Sequence, residues 1–123
     1  DLREEASHMD INLDLQTSGE RIPEKNETHL FFIVREACMN VLKHANAKTL
    51  NISGNITPTR VELSIQDDGK GLNIDLQKEV NTLIEEEHFG LVGMFERARL
   101  INADLNINSN ENSGTTIHIT WQP

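Results

Sequence analysis

The chain carries a single cysteine, Cys38, in 123 residues, which excludes an internal disulfide framework and any multi-cysteine zinc site. It has no apolar run approaching the ~20 residues that span a bilayer. No positive-then-apolar leader opens it, so nothing in the sequence supports secretion. Basic residues are scarce as well: 11 Lys and Arg against 20 Asp and Glu leave a formal net charge of −9. No basic face remains to replace the counterions of a phosphate backbone, which argues against a nucleic-acid binder. Hydrophobic residues are sparse at 37%, yet they come in periodic blocks, which points to a folded domain with polar edges. The length suits one compact domain, and the lone cysteine suits a reducing, cytoplasmic compartment.

Residues 1–8 read as a linker or the end of a preceding helix, with Ser7-His8-Met9 also legible as a cloning remnant. Residues 9–123 are expected to form the domain. Met9, Ile11, Leu13 and Leu15 alternate with polar residues, the pattern of a half-buried strand. A loop over Thr17–Lys25 follows, with Gly19 and Pro23. From about Glu27 to Asn46 the period becomes helical, with Leu30, Val34, Ala37, Val41 and Ala45 on one stripe and Thr28 or Asn26 as the cap. Alternation returns over Lys48–Thr57 and Arg60–Gln66, two strands expected to pair as a hairpin across Thr57-Pro58-Thr59. Leu72–Phe89 is irregular and holds the acidic run Glu85-Glu86-Glu87. A second helix is expected over about Gly90–Asn102, then strands at Asp104–Asn108 and Thr115–Trp121 with Gly114 in the turn. Each strand has one apolar face, so the fold class is an α/β (α+β) two-layer sandwich: a mixed, mostly antiparallel sheet covered by helices on one side.

Three segments concentrate chemistry. On the first helix, Glu36, Asn40, Lys43 and His44 fall on the face opposite the apolar stripe, which a plain solvated helix face would also explain. Asp67-Asp68-Gly69-Lys70-Gly71 puts a carboxylate at a strand end and glycines where backbone can approach a flat ligand, although Asp-Gly is also common turn chemistry. Ile74 stands where a dinucleotide fingerprint needs its third glycine, and Gly71 where a calcium loop needs an oxygen ligand. Gly90-Leu91-Val92-Gly93-Met94 opens a helix, where free N–H groups favour phosphate oxygens, or is simply a helix start.

Together and in order, these boxes resemble the ATP-binding domain of sensor histidine kinases, in the superfamily that also holds gyrase-type, Hsp90-type and MutL-type ATPases, which share the Bergerat fold. Arg35-Glu36-Ala37…Asn40…Lys43-His44-Ala45 and His88-Phe89-Gly90-Leu91…Met94…Glu96-Arg97-Ala98 are similar to one subfamily, that of nitrate sensors and the competence quorum sensor. Ser113-Gly114-Thr115-Thr116 resembles its final glycine box, so the resemblance covers about Leu30–Pro123.

The resemblance implies ATP and Mg²⁺ as ligands. Asn40 would give its carbonyl oxygen to Mg²⁺, and Glu36 would hold a metal-bound water or assist proton transfer; these two are the catalytic pair. Lys43 would face the phosphates and His44 the phosphates or ribose. Asp67 would read adenine's amino group, with Gly69 and Gly71 clearing space for the ring. Gly90, Leu91, Gly93 and Met94 would close over the phosphates, and Thr116 or Thr115 would add a hydroxyl near the adenine. Leu72–Phe89 would be a mobile ATP lid. The acceptor would be a histidine on a separate dimerisation domain, for relay to a response regulator, in a parent that is a membrane-bound sensor. His8, His29, His44, His88 and His118 all lack the acceptor context, and His29, at a helix start, and His118 read as surface residues. Phosphate transfer within the isolated domain is therefore not expected, and neither is direct membrane contact. A non-catalytic nucleotide-sensing module, or a serine kinase of the same superfamily, is the alternative.

Overall fold

A computed structural model describes residues 9–71, 89–110 and 112–123. The expected linker, residues 1–8, and nearly all of the expected lid, residues 72–88, lie outside the described residues. The elements run β1 (Asp10–Thr17), α1 (Glu24–Asn40), a π-helical turn (Val41–Ala45), β2 (Thr49–Thr57), β3 (Arg60–Asp67), α2 (Phe89–Leu100), β4 (Asp104–Asn110) and β5 (Gly114–Trp121). The five strands form one sheet in the order β1-β2-β3-β5-β4. Only β1 and β2 are parallel. The sheet is mixed and mostly antiparallel, as expected.

Register puts the apolar residues of all five strands on one face. Ile52, Ile65 and Ile117 stand opposite one another across β2, β3 and β5, and Ile117 faces Ile107 on β4. The two helices close over that face, and Ile33, Ala37, Met94 and Ile119 are fully buried between the layers. The other face carries Asn51, Ser53, Glu62, Ser64, Thr116 and His118. His118 Nε2 and Glu62 Oε1 are 3.3 Å apart there, so His118 is the surface residue expected.

β1 forms where the alternation put it, but it is not half-buried. It is the edge strand, beyond the reach of the helices, and Ile11, Leu13 and Leu15 remain 47%, 67% and 40% exposed. Period-2 alternation reports which face a strand turns toward the core, not whether anything covers that face.

Neither Thr28 nor Asn26 caps α1. The helix starts earlier, at Glu24, directly after Pro23, whose φ of −54° is set by its ring, and no side chain caps it. Glu24 and Glu27 lie in the first turn, where the helix dipole favours acids. Glu27 also pairs with Arg21, and Thr28 Oγ1 donates back to the Glu24 carbonyl at 3.0 Å. At the far end, the α-helix stops at Asn40 rather than continuing to Asn46. Val41–Ala45 form a π turn that ends on Asn46 in the left-handed region. α2 also stops short of Asn102, in a Schellman-type cap: Asn102 takes φ 56°, its N–H bonds to the Arg99 carbonyl (3.2 Å), and the Ala103 N–H bonds to that of Ala98 (2.9 Å).

Candidate nucleotide site

The end of β3 separates two adjacent acids. Alternation along the strand turns Asp67 to the same face as Val61, Leu63 and Ile65, where it is only 5% exposed. One carboxylate oxygen accepts the Gly69 N–H at 2.7 Å, and the Thr115 backbone N–H also bonds to the carboxylate. Burial pushes the Asp67 pKa up, and the two N–H groups only partly offset it. Asp68 faces outward. Its Oδ1 accepts the Lys48 and Thr49 N–H groups at 2.8 and 2.9 Å, which holds its pKa down.

Lys48 follows the π turn by three residues, so Asp68 fastens the chain leaving α1 to the end of β3. The end of α1 that bears Asn40 and the end of β3 that bears Asp67 therefore lie on the same side of the sheet.

The β4–β5 hairpin closes the Asp67 corner. Gly71 and Gly114 have φ of +77° and +87°, and a side chain on either would overlap a backbone carbonyl, that of Asn110 for Gly71 and that of Asp67 for Gly114. The Asn112 N–H bonds to the Lys70 carbonyl at 2.9 Å. Both glycines are therefore required by chain packing, apart from any room they leave for a ligand. Thr115 is buried on the face of Asp67, and its hydroxyl lies 2.8 Å from that of Ser109. Thr116 pairs with Gln66 and faces the opposite side of the sheet. Of the two threonines left open by the sequence, Thr115 is the one beside Asp67.

The second corner is where the two helices meet. Glu36 and Asn40 are one turn apart on α1, and Gly90 opens α2 beside both. A methyl group built on Gly90 would sit 3.1 Å from Glu36 Oε2 and 3.9 Å from Asn40 Oδ1. One turn on, Gly93 lies against the Phe32 ring, where an added methyl group would stand 3.3 Å from a ring carbon. The carboxylate and amide of α1 thus converge with the glycine box, which follows Asn40 by 50 residues and Glu36 by 54. The Leu91 and Met94 side chains turn into the core, so only their backbone is available to a ligand. Lys43 is exposed on the π turn, and the side chain of His44 lies outside the described residues. A π turn takes more residues than an α turn, so Lys43 and His44 do not continue the α-helical spacing of Glu36 and Asn40. His29 is not at a helix start but inside α1 and half-buried, its Nδ1 3.2 Å from Arg97 Nη1.

Among the described residues no three His, Cys, Asp or Glu side chains converge as a metal cage. The oxygen donors of Glu36 and Asn40 do suit a hard cation carried mainly by phosphates, since Mg²⁺ keeps most of its shell as water and substrate oxygens.

Residues 25–123 match the model of the histidine kinase-, DNA gyrase B- and HSP90-like ATPase family. The chain belongs to that family. Among curated relatives of this ATPase domain, the signal transduction histidine-protein kinase/phosphatase DegS of Brevibacillus brevis is 39% identical over 92% of the chain. The nitrate/nitrite sensor protein NarX of Escherichia coli is 29% identical over 92%. The chain spans 28% and 18% of the lengths of these two proteins. The histidine kinase domain of the Erythrobacter litoralis blue-light activated kinase superimposes on 98% of the chain with a TM-score of 0.74 at 18% identity, and the chain covers 55% of it. That likeness places the ATPase domain's two-layer architecture among histidine kinase domains.

Two features of this ATPase domain were not legible as sequence motifs. Asp68 is a backbone anchor, which the parity of the strand would have indicated; the same parity decides between Thr115 and Thr116, both of which the sequence left open. The contacts of Arg97 and His29 join residues 68 positions apart, and no local pattern reports them.

Proposed function

We propose that this domain binds Mg-ATP and donates the γ-phosphoryl group to a histidine on a separate dimerisation domain, for relay to a response regulator. The observation that carries the reading is the convergence of Glu36, Asn40 and Gly90 at one corner with the buried acceptor Asp67 on the same side of the sheet.

The bound magnesium nucleotide supplies the phosphoryl group and neutralises its charge. Asp67 accepts a hydrogen bond from adenine's amino group, and its burial makes that bond discriminating, because a base offering an acceptor there would set its lone pair against a carboxylate oxygen with no water to intervene. Thr115 adds a hydroxyl beside it, and Gly69 and Gly71 keep the loop close to the ring. Asn40 holds the cation through its carbonyl oxygen, and Glu36 orients a water or takes a proton at its carboxylate. The backbone N–H groups at Gly90 and Leu91, in the first turn of α2, face the phosphates, where the helix dipole favours negative charge, and Gly93 one turn on lets α2 lie close against Phe32. Lys43, exposed on the π turn that follows Asn40, would bring its charge toward the phosphates. The acidic balance of the chain is no obstacle, since local donors and the cation set the field at the site.

A retired nucleotide-sensing module would have no chemical use for Glu36 beside Asn40, which favours the catalytic reading. The acceptor context is missing around His29, His44 and His118, so transfer requires a second domain. Among the described residues no helix is long and apolar enough to cross a membrane, and we place this domain on the cytoplasmic side of a membrane-bound sensor. The test is transfer in trans: with labelled ATP and a separately made dimerisation hairpin, label should appear on the hairpin histidine and not on this chain. Acid-labile label on this chain alone would overturn the reading.

A further inference from the structure

The two helices meet along one seam. On α1 the residues facing α2 are His29, Phe32, Glu36 and Asn40, spaced by three, four and four; on α2 they are Gly90, Gly93 and Arg97, spaced by three and four. Such spacings define one stripe per helix. The contacts run antiparallel: Gly90 lies against Glu36, Gly93 against Phe32, and Arg97 against Phe32 and His29. The Arg97 guanidinium stands 4.3 Å from the Phe32 ring centroid, inside the range of a cation–π contact. Its Nη1 lies 3.2 Å from His29 Nδ1. Arginine can only donate, so His29 must present an unprotonated Nδ1.

We infer that Arg97 is a positioning residue for phosphate binding: it holds the far end of α2 so that the Gly90 end stays against Glu36 and Asn40. Gly93 brings the helices close at the middle of the seam and offers no side chain to fix their angle. Arg97 lies about 6 Å further along the helix axis, on the side of that contact away from Gly90. Its two bonds, one to a ring and one to an imidazole, fix the direction of α2 where the glycines do not. Release of Arg97 lets α2 pivot on Phe32, and the N–H groups at Gly90 and Leu91 move relative to the Glu36 and Asn40 oxygens. Arg97 touches neither base nor phosphate in this scheme. The inference rests on the proposed assignment of Glu36, Asn40 and the glycine box to the phosphates.

The test measures two ligands on the same chain, Mg-ATP and adenosine, because only the first uses the phosphate end. Arg97→Met should weaken Mg-ATP by about tenfold, the scale seen when a group that orients a binding residue is lost. Adenosine binding should stay within about twofold. Arg97→Lys keeps a cation over Phe32 and should recover part of the loss. Equal losses for both ligands would mean general destabilisation and overturn the inference, as would no loss for either. If Arg97→Met fails to fold, His29→Asn and His29→Ala decide by the same ratio: the first keeps an acceptor for Arg97 and should bind Mg-ATP better than the second. Asn40→Ala is the control for the site itself. If it leaves Mg-ATP affinity unchanged, the phosphate-end assignment fails; if it weakens Mg-ATP while the Arg97 variants do not, only the positioning role fails.

Discussion

Asp67 turns inward and Asp68 outward, and their carboxylates are shifted in opposite directions, Asp67 upward by burial and Asp68 downward by the backbone N–H groups it accepts. Asp67 is buried at the end of β3 with its pKa raised; Asp68 is exposed, holds two backbone N–H groups, and has its pKa lowered.

The two acids therefore give opposite pH dependences. A lowered folded-state pKa means that Asp68 contributes stability above the ordinary carboxylate pKa, and that this is lost as the pH falls through the folded value. A raised one means that ionised Asp67 costs stability at neutral pH, and that the cost is relieved as the pH falls through its folded value. Asp68→Asn should lower the urea midpoint at pH 7, by about 1 kcal/mol of stability for weakening two exposed bonds to a charged acceptor. Asp67→Asn should not lower the midpoint at pH 7, and its advantage over the parent should shrink toward pH 4. Midpoints at the two pH values check both.

Gly71 and Gly114 are predicted to be structural. Alanine at either requires a positive φ and overlaps a carbonyl, so Gly71→Ala and Gly114→Ala should each cost about 1–3 kcal/mol of stability. Gly90 differs. An added methyl group meets only the end of the flexible Glu36 side chain, so Gly90→Ala should melt near the parent while transfer to the hairpin histidine falls. Calorimetric melting beside the transfer assay separates the two kinds of glycine.

Thr115 and Thr116 should part company as well. Thr115→Val keeps the backbone N–H on Asp67 and removes only the hydroxyl beside it, so adenosine affinity should fall about threefold to tenfold. Thr116→Val alters the opposite face of the sheet and should leave affinity unchanged. Equal effects from both would place the adenine elsewhere.

Element type and order were legible in the sequence because the period switched cleanly between two and 3.6: Ile11 to Leu15, Leu30 to Val41, Val61 to Ile65 and Ile117 to Trp121 each point one way. The candidate site was legible as three boxes, and their convergence was implied only through resemblance, because nothing local says that Gly90 lies against Glu36. What stayed hidden was tertiary. The exposure of β1 depends on how far the helices reach across the sheet. The start of α1 was set by Pro23 rather than by a capping side chain, and its end by a π turn that α-helical spacing does not anticipate. The contacts of Arg97 with Phe32 and His29 depend on the packing of one helix against another.

The most direct test of the central claim is a calorimetric titration of this domain with Mg-ATP, repeated on Asp67→Asn. An amide there would present a donor to adenine's amino group, or would have to flip and give up the Gly69 N–H. We expect saturable binding by the parent and a loss of about tenfold or more in a variant that still melts cooperatively. Equal affinity in parent and variant would contradict the account.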